Sequence, residues 1–203
     1  MLSAGATTFT YDNNGNTTFK TEPGIGQTRY FYQGYENKIT WILYPGGRGS
    51  STFAYDGDGV RRRKTDSTGT SWFVYDGANV IGETDASGNL QVVCTHGVDG
   101  LVSSHVYSPT EASYFYHFDG LGSTRAMTNG NAQLVEVYDY EAFGNELLSQ
   151  GGLATPYRYV GQLGYYTDPG TELDLLGARY YAPEFGLESV QQATSAPDIS
   201  HRT

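Results

Sequence analysis

One stretch near the middle of the chain, residues 114–119, reads Tyr-Phe-Tyr-His-Phe-Asp and has an aromatic ring at every second position from Tyr114. Side chains of a strand point to opposite faces with a period of two, so an extended conformation places Tyr114, Tyr116 and Phe118 on one face. Residues 119–122, Asp-Gly-Leu-Gly, then supply an Asp side chain that can bond the turn backbone and glycines that tolerate positive φ. The pattern predicts a strand, a tight turn and a second strand.

The same unit recurs along nearly the whole chain, and one aromatic residue or histidine marks each copy. We call these residues the rungs, and successive rungs are 20 to 23 residues apart. The predicted rungs are Tyr11, Tyr32, Tyr55, Tyr75, His96, Phe118, Tyr138, Tyr159 and Tyr180. Two positions before each rung, on the same strand face, stand Phe9, Tyr30, Phe53, Phe73, Cys94, Tyr116, Glu136, Tyr157 and Ala178. A fixed period of this length indicates repeats that bury one another's faces.

Asp and Gly residues keep step with the rungs, as hairpin turns require. The predicted turn residues are Asp12, Gly15, Asp56, Gly59, Asp76, Asp119, Gly122 and Asp139. No stretch shows a convincing helical period, and the nearest candidate, residues 168–177, could form a short turn of helix or a strand edge. The sequence therefore predicts an all-β protein built of stacked antiparallel hairpins of about 21 residues.

The composition is consistent with an aromatic core. The chain has 203 residues, of which 38% are hydrophobic and 14% aromatic, with 18 Tyr. Each aromatic pair in contact adds roughly 0.5–1.5 kcal/mol beyond area burial, so stacked rings can replace aliphatic side chains. All-β units of this length often form one domain. We expect one repeat array over residues 1–186 and a polar, disordered tail over residues 187–203.

The charge balance argues against a nucleic-acid partner. The chain has 12 basic and 22 acidic residues, a net charge of −10, which would repel a phosphate backbone. Residues 61–64, Arg-Arg-Arg-Lys, form an exception. Because strand residues alternate between faces and acidic turns flank this run, we interpret it as a solvated strand.

Candidate catalytic and metal-binding chemistry is sparse. The four histidines and Cys94 lack metal-ligand spacing, and the turn at Asp12 has Thr17 and Pro23 where an EF-hand needs Gly and Glu. With one cysteine, no internal disulfide can form. We expect no cofactor, no metal and no enzymatic activity. No stretch reads as a signal peptide, and no apolar run approaches the roughly 20 residues that span a bilayer.

The Tyr-Asp rungs with downstream Gly resemble the YD repeats of RHS (rearrangement hot spot) proteins. The resemblance is most specific over residues 114–186, where four ordered blocks match the RHS repeat-associated core region. Besides the rungs and turns, these blocks contain Arg125, Phe143, Gly144, Gly161, Gln162, Arg179, Tyr181, Pro183 and Gly186. The resemblance implies a spiralling YD-repeat sheet that forms part of a β-shell.

The resemblance also implies a function, which is to enclose a toxin or effector polypeptide as part of a larger bacterial protein, secreted or at the cell surface. The partners would then be the enclosed polypeptide and the remaining RHS repeats. An alternative is a cell-surface module that binds carbohydrate or a partner through exposed aromatic rings. A third is a residual RHS aspartyl autoprotease, but Ala182 stands where the family usually has Asp. We expect Asp168 to bond its own turn backbone and to contribute little to stability.

Overall fold

The computed structural model describes residues 2–4, 6–34, 37–171, 173–176, 179–183 and 187–188. These residues form a 15-stranded sheet and a 4-stranded sheet, both antiparallel, with short 3₁₀ turns at Pro45–Gly47 and Gly161–Leu163. The prediction of an all-β protein made of antiparallel hairpins is confirmed.

The strands of the larger sheet lie side by side in chain order, each paired with the next. They are β1 (Leu2–Ala4), β2 (Thr7–Tyr11), β3 (Thr17–Glu22), β4 (Gly26–Gln33), β5 (Lys38–Leu43), β6 (Ser50–Tyr55), β7 (Arg61–Asp66), β8 (Gly69–Asp76), β9 (Asn79–Thr84), β10 (Leu90–Gly97), β11 (Gly100–Val106), β12 (Ala112–Phe118), β13 (Thr124–Asn129), β14 (Leu134–Tyr140) and β15 (Glu146–Gly151). Short turns are enough to join such neighbours, which is why the sequence shows turn residues at regular intervals.

The same turn closes several hairpins. At Asp119, one side-chain oxygen accepts hydrogen bonds from the backbone N–H groups of Leu121 and Ser123, at 3.0 and 2.9 Å. The N–H of Gly122 bonds back to the carbonyl of Asp119 at 3.0 Å, and the φ of Gly122 is 90°. A short acceptor at the first position and a residue that tolerates positive φ at the fourth therefore stabilise this turn.

The second sheet contains β16 (Tyr166–Asp168), β17 (Leu173–Leu176), β18 (Arg179–Ala182) and β19 (Leu187–Glu188). It lies on one face of the larger sheet, because the ring of Tyr180 is 5.6 Å from that of Phe53 and the ring of Tyr166 is 5.5 Å from that of Phe73. We call the covered face the inner face. Of the predicted tail, residues 187–188 pair with β18 as β19, and residues 189–203 lie outside the described residues.

Candidate functional site: the inner face of the larger sheet

The inner face carries a row of buried residues, one from the first strand of each of seven hairpins. The row is Phe9, Tyr30, Phe53, Phe73, Cys94, Tyr116 and Tyr138. Their directly opposed partners on the second strands are Lys20, Ile42, Lys64, Glu83, Ser104, Met127 and Ser149. All residues of the row except Tyr138 were expected on this face, two positions before a rung. In the structure they are more completely buried than the rungs themselves.

The rungs form a second, half-buried row beside the first. Its members are Tyr11, Tyr32, Tyr55, Tyr75, His96, Phe118 and Tyr140, and in every case the strand register shifts just before the residue. Two rungs bond across to the preceding hairpin: the phenol of Tyr32 donates to the carbonyl of Thr17 at 2.8 Å, and that of Tyr55 to the carbonyl of Ile39 at 2.7 Å. A β-bulge thus accompanies every rung in this sheet.

In the seventh hairpin, Tyr140 occupies the rung position and the predicted rung Tyr138 lies in the buried row. The reason is that the turn begins at Glu141, whose carbonyl accepts from Gly144 as that of Asp119 accepts from Gly122. Asp139, expected in a turn, instead lies in β14, and its carboxylate is 2.7 Å from Arg125. Tyr138 precedes Asp139 and Tyr140 precedes Glu141, so the Tyr-Asp pair pointed to Tyr138 although the turn begins after Tyr140.

The other predicted turn residues divide into two types. Asp12 and Asp56 begin turns like that of Asp119, with Gly15 and Gly59 at the fourth position. Asp76 instead pairs with Asn79 across a two-residue turn.

Residues 155–163, which we call the cap segment, bind the turn ends of two hairpins. The N–H of Gln162 donates to the carbonyl of Gly122 at 3.0 Å, and the ring of Tyr159 packs where a Cβ on Gly144 would approach to 2.6 Å. Gly161 is buried, and a Cβ there would lie 3.4 Å from Thr124 Oγ1. Three of the predicted core-motif residues, Gly144, Gly161 and Gln162, are therefore brought together, and the predicted rung Tyr159 belongs to the cap segment.

The remaining predicted core-motif residues are dispersed. Phe143 is exposed, and its carbonyl accepts a hydrogen bond from the phenol of Tyr181 at 2.8 Å. Pro183 is half-buried. The side chain of Arg179 and the whole of Gly186 lie outside what the structure describes.

An ion pair joins the two sheets in the core, and it corrects the interpretation of residues 61–64 as a solvated strand. The side chains of Arg61 and Asp168 are 1% and 0% exposed and bond each other, while Lys64 lies 3.4 Å from Asp168. Arg62 and Arg63 are half-buried. The bulge before Tyr55 places Arg61 and Lys64, three residues apart, on the inner face.

The sequence suggested that the side chain of Asp168 bonds its own turn, and this prediction is wrong. The backbone carbonyl of Asp168 accepts from Thr171 in that turn, and its carboxylate faces Arg61. Arg61 also donates to the phenol of Tyr180 at 3.0 Å. Burial is the largest single influence on the pKa of Arg61 and lowers it, but the charge and hydrogen bond of Asp168 together with the phenols of Tyr180 and Tyr166 outweigh burial, so the pKa lies well above its ordinary value.

A second acidic residue, Glu83, lies in the same region, and the sequence did not single it out. It is 8% exposed, and it accepts one long hydrogen bond of 3.5 Å from the phenol of Tyr166. Burial raises the pKa of Glu83 to about 7 and that of the neighbouring Cys94 thiol to about 12. Among the described residues, no group of three His, Cys, Asp or Glu side chains could hold a metal ion.

The chain is similar in sequence to two Bacillus proteins. It is 32% identical over 183 residues to the tRNA3(Ser)-specific nuclease WapA of Bacillus spizizenii, and likewise to the tRNA nuclease WapA of Bacillus subtilis. The match covers 87% of the chain, and the chain spans 7% of the length of each relative. No protein-family model matches the chain.

Comparison with solved structures decides the fold. A structure of the Photorhabdus luminescens Tc holotoxin pore contains a chain that matches 93% of this one with a TM-score of 0.63 at 14% identity, and the match covers 12% of that chain. A TcdB2-TccC3 crystal structure matches 89% of the chain with a TM-score of 0.59 at 16% identity. The chain has an RHS-type fold. In the part of the chain that the structure describes, no helix is long and apolar enough to cross a membrane.

Proposed function

We propose that the chain is a wall segment of an RHS-type polymorphic toxin, and that the wall encloses a toxin or effector polypeptide. The observation that carries the proposal is the arrangement of the larger sheet. Fifteen strands follow one another in chain order and present one continuous buried row to the inner face.

This architecture suits a wall because the sheet can be lengthened by adding hairpins at its edges. Each hairpin pairs with the one before and the one after, so further repeats extend the sheet without changing its packing. Among the described strands, the larger sheet does not close on itself. Its edges are β1 and β15, and all six residues of β15 are exposed. The chain's small share of its relatives is consistent with one portion of a longer wall.

The proposed partners are the enclosed polypeptide and further repeats of the same protein, and the proposed location is outside the producing cell or at its surface. The structural neighbours are Tc toxin assemblies and support a toxin context. The nuclease activity in the names of the Bacillus relatives is a property of those whole proteins, and no enzymatic activity is part of the proposal for this chain.

A carbohydrate-binding surface has less support. Rings are exposed on the outer face, where Phe31 stacks on Trp41 with centroids 4.3 Å apart. The direct neighbour of Trp41 on β6 is Thr52, and Trp72 packs under Arg63. A sugar-binding surface would place Asp or Asn beside such rings, to bond the hydroxyl groups.

The wall role is tested in the full-length gene product, with a protease-sensitive reporter fused after this chain. The reporter should resist digestion in the wild type. It should become sensitive in Phe53→Asp, which places a charge in the buried row, and stay resistant in the control Phe115→Asp on the outer face. A reporter cleaved equally in all three proteins would contradict enclosure.

A further inference from the structure

A cavity of about 480 Å³ lies between the inner face and residues 152–157, which cross it. Its wall includes apolar side chains such as Met127 and Val92, the phenol-bearing rings of Tyr116 and Tyr166, and the carboxyl group of Glu83. Cavities of this size, largely apolar with a few converging polar groups, are typical of ligand sites.

Glu83 is a buried carboxyl group in this wall with incomplete hydrogen bonding. It is more than nine-tenths buried, and the bond from Tyr166 is long at 3.5 Å. By contrast, the phenol of Tyr116 is bonded by Thr155 at 2.9 Å and Ser104 at 3.2 Å. A buried carboxylate with two oxygens can accept several hydrogen bonds and is costly to leave with one weak bond.

The charges around Glu83 do not balance. On β7, Arg61 and Lys64 are cationic, and Lys64 is shared between Asp66 at 3.0 Å and Asp168 at 3.4 Å. With Glu83 ionised, three carboxylates face two cations. Burial raises the pKa of Glu83 most; Arg61 and Lys64 lower it, and Asp168 raises it further. The neutral phenol of Tyr166, from β16, adds no charge to the balance.

We propose that this cavity binds an alkylammonium ion, with its charged nitrogen at Glu83 and its hydrocarbon chain against Val92 and its cross-strand neighbour Val106. The ammonium supplies the missing positive charge and three hydrogen-bond donors. Val92 is the direct cross-strand neighbour of Glu83, so an unbranched chain leaving the carboxylate meets apolar surface at once. The ion is either a free organic amine or the side chain of a lysine, and the site does not depend on the wall function.

The test is isothermal titration of the purified chain with n-butylamine and, as a matched neutral probe, 1-butanol, one unit above the Glu83 pKa of about 7. Butylammonium should bind at least about tenfold more tightly than butanol, since a hydrogen bond to a charged group contributes roughly 1.5–3 kcal/mol. In Glu83→Gln, which keeps the side-chain shape, this preference should vanish. Equal binding of the two probes, or an unchanged preference in the variant, overturns the proposal, as does no binding of butylamine.

A second measurement needs no variant. Because the cation favours the ionised carboxylate, butylammonium binding should release protons below the Glu83 pKa, and its affinity should rise as the pH is raised through about 7. Binding without proton release in that range rejects Glu83 as the partner. Lysine blocked at both ends distinguishes the sources: if it binds as butylamine does, the occupant is a lysine side chain, and if butylamine alone binds, it is a free amine.

Discussion

The ion pair between Arg61 and Asp168 gives the sharpest test of how the two sheets are held together. Replacing Asp168 with Ala leaves the guanidinium of Arg61 inside the core, among the rings of Phe53, Phe73 and Tyr166 at 4.7–5.6 Å. Removing one partner of a buried pair usually costs about 3–5 kcal/mol, because the other charge is left without compensation. The aromatic faces and Tyr180 compensate in part, so we expect a loss near the lower end of that range.

The assay is urea unfolding followed by far-ultraviolet circular dichroism, with Asp99→Ala in an exposed turn as the control. The control should change the free energy of unfolding much less than Asp168→Ala does. Arg61→Met combined with Asp168→Ala should recover part of the loss, since neither of these two charges is then buried alone. If Asp168→Ala were as mild as the control, the second sheet would not be docked on the inner face as described.

Three further predictions follow from the inner face. Tyr116→Ala should lower the free energy of unfolding by about 3–5 kcal/mol and Phe115→Ala far less, because the two side chains are 8% and 42% exposed; equal losses in urea would mean that both faces are covered. The free energy of unfolding should fall as the pH rises from about 4.5 through about 7, because Glu83 is already ionised in the unfolded chain and ionises in the folded state only near pH 7. Glu83→Gln should make this pH dependence shallower, and an unchanged pH dependence would refute its assignment to Glu83. Gly144→Ala should lower the melting temperature, because φ is 91° and the new Cβ would meet the Tyr159 ring; an unchanged melting temperature would mean that the cap segment is not seated there.

The sequence was a good guide to the first strand of each hairpin. In β6 and β12, period-two alternation runs undisturbed up to the rung, so the faces of Phe53 and Phe115 were read correctly, whereas β10 and β14 each have an earlier register shift. The turns at Asp12, Asp56 and Asp119 carry their own acceptor and glycine. These features are local, because they depend on side chains within a few residues of one another. Local patterns are what a single sequence reveals best.

For the second strand of each hairpin, strict alternation does not predict which side chains face inward. The bulge opposite each rung inserts one residue, so buried positions on these strands are three apart, as in Arg61 and Lys64 or Val80 and Glu83. Strict alternation from Val80 would have placed Glu83 on the outer face. A bulge changes the register without leaving a residue type of its own, and for this reason the buried charges were missed.

The packing of the second sheet against the larger one could not be predicted from the sequence either. Tyr180 continues the spacing of the earlier rungs, and nothing near it in the chain indicates a different sheet. The contact that ties its sheet to the larger one is the long-range pair of Asp168 with Arg61, 107 residues apart. Contacts of that separation depend on the whole fold.

The central claim is that this chain is one section of a longer wall around a polypeptide, and a cryo-electron microscopy map of the full-length gene product tests it most directly. The account predicts that the larger sheet continues beyond β1 with further hairpins in chain order, and that polypeptide density lies on the side of the inner face. A sheet that ends at β1, with the inner side open to solvent and empty of polypeptide, would contradict it.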